Sequence, residues 1–187
     1  MRIVGGRLKG RTLNAPQGKE LRPTADRVRE SVFNILAHGI EGFDFDGATV
    51  IDVFSGTGAL GLEAMSRGCG HGVFIDFDAG AQALVRKNAG PMGLGRAVTL
   101  LKLDATRLAP PPRAAKAPAA LAFLDPPYDQ GLVVPALLGL KDKGWLKDGA
   151  VVVCEVAAKE EFEPPRGFAI IDERSYGAAR AVFLKYG

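Results

Sequence analysis

The chain has 187 residues, 47% of them hydrophobic and 24% charged, with a formal net charge of +3. That length suits one domain with a sizeable core, and no apolar run reaches the roughly 18–20 residues needed to cross a bilayer. Only two cysteines and two histidines are present, without metal-ligand spacing, which argues against a zinc site.

Met1–Arg7 lacks the apolar core of a secretory signal, so a cytoplasmic protein without membrane attachment is expected. Residues 1–20 read as a basic β-hairpin extension to a domain spanning 21–187. Ile3-Val4 and Thr12-Leu13 flank Gly5-Gly6 and Lys9-Gly10, and Pro16 closes the unit. Residues 1–30 carry eight basic residues against three acids, including Arg7, Lys9, Arg11, Arg22, Arg27 and Arg29. A basic arm on a near-neutral body points to a polyanionic partner, with a merely solvated surface as the plain alternative.

Thr24 is placed to cap the next helix. Val28, Val32, Ile35 and Leu36 follow at helical spacing, and Gly39 ends it. Cations are unfavourable at a helix N-terminus, so Arg22, Arg27 and Arg29 there point to another task. From residue 48 strands and helices alternate. Strands are expected at Thr49–Val53, Val73–Asp76, Ala97–Leu103, Leu121–Leu124 and Val151–Glu155. Helices are expected at Gly58–Arg67, Ala79–Ala89 and Leu132–Leu140. Phe168–Glu173 and Ala181–Tyr186 then form an antiparallel pair. Such alternation implies an α/β fold with a mostly parallel sheet and helices on both faces. Ala109–Ala119, rich in proline and alanine, reads as a surface loop. His38 and His71 read as surface or turn residues, and Cys154 as a small buried hydrophobe.

Two motifs carry chemistry. Gly56, Gly58 and Gly61 form G-x-G-x-x-G between a strand and a helix, where backbone N–H groups approach a cofactor. Dinucleotide and S-adenosylmethionine enzymes share this loop. Asp52, just ahead of it, suits a cofactor bearing a cation and suits a pyrophosphate poorly. Asp76 ends the second strand, where an acid accepts bonds from ribose hydroxyls. Asp104 ends the third and is placed to take an adenine amino group. For Asp76 or Asp104 alone, a strand-end turn is an equal reading. The second motif is Asp125-Pro126-Pro127-Tyr128, after the apolar run Leu121–Leu124. Two prolines stiffen the backbone and remove two donors, leaving acceptors. With the Asp125 carboxylate and a flat Tyr128 ring, the tetrapeptide can grip an exocyclic amine on a planar base.

In combination these motifs resemble those of Rossmann-like class I S-adenosylmethionine-dependent methyltransferases. The D/N-P-P-Y/F/W tetrapeptide marks the members that methylate exocyclic amines. Three segments are similar to the RsmD family: Met1–Pro16, with its Gly-Gly-Arg-Leu-Lys-Gly-Arg core; Arg22–Glu30; and Asp52–Ala64. The likeness covers nearly the whole chain. It departs at Asp76, where glutamate is common, at Leu103, where glycine is usual, and in the Ala/Pro-rich loop.

The resemblance implies a seven-stranded, mostly parallel sheet with an antiparallel last strand. It implies methylation of guanine N2 in 16S ribosomal RNA of the small ribosomal subunit, or of an assembly intermediate, by a monomer. The Gly56–Gly58 loop would pass around the methionine moiety of S-adenosylmethionine. Asp76 would hold the ribose, Phe77 would pack by the adenine, and Asp104 with the Ala105 backbone would read its edge. Asp125, Pro126, Pro127 and Tyr128 would hold the target base. Arg22 and Thr24 would lie near the cofactor or the RNA. Three alternatives remain: a nicotinamide dehydrogenase using the same glycine loop, a DNA adenine-N6 or protein glutamine methyltransferase, and a non-catalytic RNA-binding assembly factor.

Overall fold

The structure is a computed structural model that describes residues 1–18 and 23–187. Seven strands form one sheet: β1 (Thr49–Val53), β2 (His71–Asp76), β3 (Val98–Lys102), β4 (Ala119–Leu124), β5 (Leu146–Ala157), β6 (Phe168–Tyr176) and β7 (Ala179–Tyr186). Their order is β3-β2-β1-β4-β5-β7-β6. The first five are parallel, and β7 runs antiparallel to both β5 and β6. Among the described residues four helices accompany them: α1 (Pro23–His38), α2 (Ala59–Ser66), α3 (Ala79–Ala89) and α4 (Val133–Asp142). The sheet and its antiparallel end agree with the expected fold class. Among the described residues, no helix is long and apolar enough to cross a membrane.

The two-residue period of the strands sorts side chains between two cores. Val50, Phe74, Phe123 and Val153 join Phe33 and Leu36 of α1, Leu62 and Met65 of α2, and Val85 of α3. Ile51, Ile75, Leu124 and Cys154 join Ala136, Leu137 and Leu140 of α4, together with Trp145. Burying each of the larger side chains contributes about 1.5–3 kcal/mol.

Several expectations shift. Helix α1 begins at Pro23, which suits the first helical position, so Thr24 sits inside the first turn and not ahead of it as a cap. β5 starts at Leu146, earlier than read, because the exposed Lys147-Asp148-Gly149 masks a segment paired to β4. His71 is a buried strand residue, not a turn residue. Its Nε2 lies 2.9 Å from Thr99 Oγ1, and burial lowers its pKa.

The Ala/Pro-rich segment is pinned rather than loose. Ala109, Ala114 and Lys116 accept hydrogen bonds at their carbonyls from Trp145 Nε1 (2.9 Å), Thr99 Oγ1 (2.9 Å) and Thr49 Oγ1 (3.2 Å). Ala115 is fully buried in the α4-side core. This stretch covers the sheet between β3 and β4 with a single 3-10 turn in place of a helix.

The N-terminal ribbon is packed into the body. Its antiparallel pairing reduces to one bridge, Arg2 to Thr12, supported by Ile3 N–H to Arg11 O and Leu13 N–H to Met1 O. Ile3, Leu8 and Leu13 are buried in the same core as α1 and α2. Glu63, itself fully buried on α2, ties the assembly together. Its carboxylate accepts from Val4 N–H at 2.9 Å and Arg67 Nε at 3.0 Å, and Arg29 Nε lies at 3.5 Å.

Candidate active site

The cleft lies at the carboxyl edge of the parallel strands, over the junction of β1 and β4. The strand order reverses there, and open α/β sheets bind ligands at such a point. Its volume is about 1620 Å³. That exceeds the roughly 300–1,000 Å³ of an ordinary small-molecule pocket and leaves room for two planar ligands.

One half is built from the ends of β1, β2 and β3. The chain leaves β1 through Phe54 at φ 60° and turns through Gly56 at φ 51° and Gly58 at φ 78°. Gly56 N–H donates to Asp76 Oδ2 at 2.9 Å, and Gly58 N–H to Ser55 O at 2.7 Å. The two glycines serve different ends. A Cβ at Gly56 would meet nothing within 4 Å, so the backbone there borders open space in the cleft. A Cβ at Gly58 would sit 3.0 Å from Val85 and 3.2 Å from Phe74, so this glycine lets α2 and α3 approach the sheet.

The strand-end acids are all in the lining, but each has structural work as well. Asp52 is buried, and its Oδ2 accepts Gly61 N–H at 2.9 Å, capping the first turn of α2 from the strand below. Burial drives its pKa well above the carboxylate range, and Asp125 and Asp76 push it further. Asp76 accepts from Gly56 N–H and, through Oδ1, from Asp78 N–H at 2.9 Å. Phe77 beside it is 73% exposed, an apolar ring held at the cleft wall. Asp104 Oδ1 accepts from the Thr106 hydroxyl at 2.7 Å and from its N–H at 2.9 Å. Those bonds hold its pKa below the usual range. The neighbouring Ala105 also lines the cleft.

The other half comes from β4 and β5. Asp125, Pro126 and Pro127 line the cleft directly after β4. Tyr128 is outside the lining, 39% exposed, and is tied to it by donating its hydroxyl to Glu155 at 2.5 Å. Burial, followed by that bond and the Glu155 charge, raises the tyrosine pKa. Glu155 follows the apolar run Val151–Cys154 and itself faces the cleft.

The expected RNA-facing cations do not form one group. Arg29 lines the cleft, but it is buried and bound to Asp26 at 2.9 Å, to Glu63 and to the Arg2 carbonyl. It is a structural tie and not a phosphate contact, because its charge is already compensated in the core. Arg27 is exposed in a second, smaller groove with Asn34, His38 and Arg174. Arg22 lies outside the described residues. Arg7, Lys9 and Arg11 are exposed. Arg7 N–H donates to Ser66 O at the far end of α2, so the ribbon tip sits roughly 12 Å along that helix from the glycine loop.

Asn88 carries no mark in the sequence. It is buried on α3, donates to Thr57 O at 2.9 Å, and accepts from Asn14 N–H at 2.7 Å. It joins the glycine loop to the ribbon, a role that only the packing of α3 reveals. Glu155 does carry a signal, an acid that follows an apolar run, as Asp52, Asp76 and Asp125 do.

The residues present fit S-adenosylmethionine. The backbone at Gly56 leaves open space in the cleft, and Asp76 and Asp104 present carboxylate acceptors at its wall, while buried Asp52 is committed to the first turn of α2.

Comparison with known proteins agrees with this geometry. The family model described as "Conserved hypothetical protein 95" matches residues 1–185. Ribosomal RNA small subunit methyltransferase D of Escherichia coli (strain K12) is 37% identical over 155 residues, spanning 83% of this chain and 74% of that protein. YlbH of Bacillus subtilis (strain 168) is 32% identical over 189 residues and spans 100% of both chains. The solved structure of yhhF from Escherichia coli superposes with a TM-score of 0.83 at 28% identity, covering 100% of this chain and 97% of that one. The chain therefore belongs to the conserved hypothetical protein 95 family, which is the RsmD family of methyltransferases.

Proposed function

We propose that this chain transfers a methyl group from S-adenosylmethionine to the exocyclic N2 amine of one guanine in 16S ribosomal RNA of the small ribosomal subunit, working as a cytoplasmic monomer. One observation carries the reading: the glycine loop and Asp125-Pro126-Pro127 line a single cleft on either side of the β1–β4 junction. The relatives named ribosomal RNA small subunit methyltransferase D support the choice of RNA.

The cofactor supplies a methyl group already activated by a sulfonium. The chain's own task is to present a weak nucleophile, because the guanine N2 lone pair is delocalised into the ring. The Asp125 carboxylate and the Pro126 carbonyl each accept one N–H of that amine, which favours a pyramidal nitrogen. Pro127 stiffens the backbone that carries both acceptors. Stacking on Tyr128 fixes the ring plane and contributes about 1–3 kcal/mol. Asp76 and Asp104 hold the ribose and adenine ends, and Phe77 packs on the adenine face. Positioning and preorganised charge then supply most of the acceleration, with no strong base required. The base enters by leaving its stack, at a cost of a few kcal/mol in a duplex. Exposed Arg7, Lys9, Arg11 and Arg27 hold phosphates outside the cleft and set affinity in a salt-dependent way.

The test is transfer of labelled methyl to small subunits from a strain lacking the enzyme, followed by nucleoside analysis. Naked 16S rRNA, DNA and protein serve as parallel acceptors. N2-methylguanosine in the RNA is the expected product. Label in adenine or glutamine instead, or in nothing, sinks the proposal.

A further inference from the structure

Glu155 has a position that gripping the N2 amine leaves unused. In the β4–β5 register Leu124 lies opposite Cys154, so Asp125, just past the end of β4, stands level with Glu155 within β5. Strands in a sheet lie about 4.8 Å apart. Both residues line the cleft, and Glu155 Oε1 accepts the Tyr128 hydroxyl. Two carboxylates therefore stand abreast next to a ring whose hydroxyl one of them holds.

This arrangement matches one base edge. Guanine presents two neighbouring donors, N1–H and N2–H. Adenine presents a donor and an acceptor, and 2,6-diaminopurine keeps the N2 amine but has an acceptor at N1. A carboxylate facing N1 accepts a bond from guanine and repels the lone pair of the other two.

We infer that Glu155 determines specificity: one of its oxygens holds Tyr128, and the other accepts N1–H of the target guanine while Asp125 takes N2–H. This inference rests on the methyl-transfer reading above and adds to it the basis for choosing guanine. Glu155 acts on the base edge, whereas Asp125 acts on the reacting amine.

The experiment compares two 16S rRNAs, ligated to carry either guanine or 2,6-diaminopurine at the methylated position. Each is given to the wild-type enzyme and to Glu155→Gln. The wild-type enzyme should prefer guanine strongly. A glutamine amide can donate to N1 as well as accept, so the guanine preference in kcat/KM should fall by at least about 10-fold, the worth of one charged hydrogen bond. S-adenosylhomocysteine binding, measured by calorimetry, should be unchanged and shows that the variant is folded. Glu155→Ala gives the same readout should the glutamine variant prove unstable. A preference within about twofold of wild type in a folded variant overturns the inference and leaves N2 methylation standing. Absence of guanine N2 methylation by the wild-type enzyme overturns the functional reading itself.

Discussion

Replacing Gly56 and Gly58 one at a time by alanine separates cofactor space from packing. Both have positive φ, 51° and 78°, so each alanine carries about 1–2 kcal/mol of left-handed backbone strain. At Gly56 nothing else opposes the new methyl group, and Gly56→Ala should lose only that amount of stability. At Gly58 the Cβ meets Val85 at 3.0 Å and Phe74 at 3.2 Å, in a core where neither can retreat freely. Overpacking adds about 1–3 kcal/mol, so Gly58→Ala should cost about 2–5 kcal/mol in all. Urea melts read these differences directly. Binding should rank the other way for its cause: Gly56→Ala places a methyl in the cleft and should weaken S-adenosylhomocysteine at least about 10-fold, or 1.4 kcal/mol, while folding almost normally. If Gly58→Ala is no less stable than Gly56→Ala, the packing assignment is wrong. If Gly56→Ala binds like wild type, the open space beside it is not the cofactor's.

Three further outcomes follow from the same geometry. Asp125→Ala should reduce methyl transfer at least about 100-fold, with S-adenosylhomocysteine affinity within about threefold by calorimetry. Reversing the charges of Arg7, Lys9 and Arg11 should raise KM for RNA and lower the salt slope by roughly one for each phosphate no longer held, with cofactor binding unaltered. For Asp52, burial raises the folded-state pKa above the unfolded value, so the native state binds the extra proton in the window between them. Wild-type stability should therefore fall relative to Asp52→Asn as pH rises from about 4 through that window, then run parallel above it. Melts of both proteins across this range check the sign, and parallel curves throughout would contradict the assignment.

Much of the cleft was legible because its residues lie where local pattern has a simple physical reading. Short apolar runs lead into Asp52, Asp76 and Asp125, and a strand end in an open sheet is where an acid can meet a ligand. The same reading extends to Glu155, which ends a run of the same kind. Arg29 was not legible. Its neighbours in sequence mark a basic cluster, but its partner Glu63 is brought to it only by the packing of α1 on α2. The packing of the ribbon into the body was not legible for a similar reason. Ile3, Leu8 and Leu13 are ordinary apolar positions until α2 supplies a surface for them. The β7 insertion between β5 and β6 is likewise a non-local choice that periodicity does not encode.

Apart from Asp52, which burial biases toward its neutral form, the cleft lining holds Asp76, Asp78, Asp104, Asp125 and Glu155, against Arg29 and Lys87. That imbalance acts as a filter on what part of a nucleic acid can enter. A phosphodiester carries a full negative charge and is turned back at the rim, whereas an uncharged base meets no such repulsion. A nucleic-acid substrate must therefore come to this cleft with its backbone kept outside and one base turned inward. A free nucleoside monophosphate, whose phosphate travels close to its base, makes a poor competitor at the same opening.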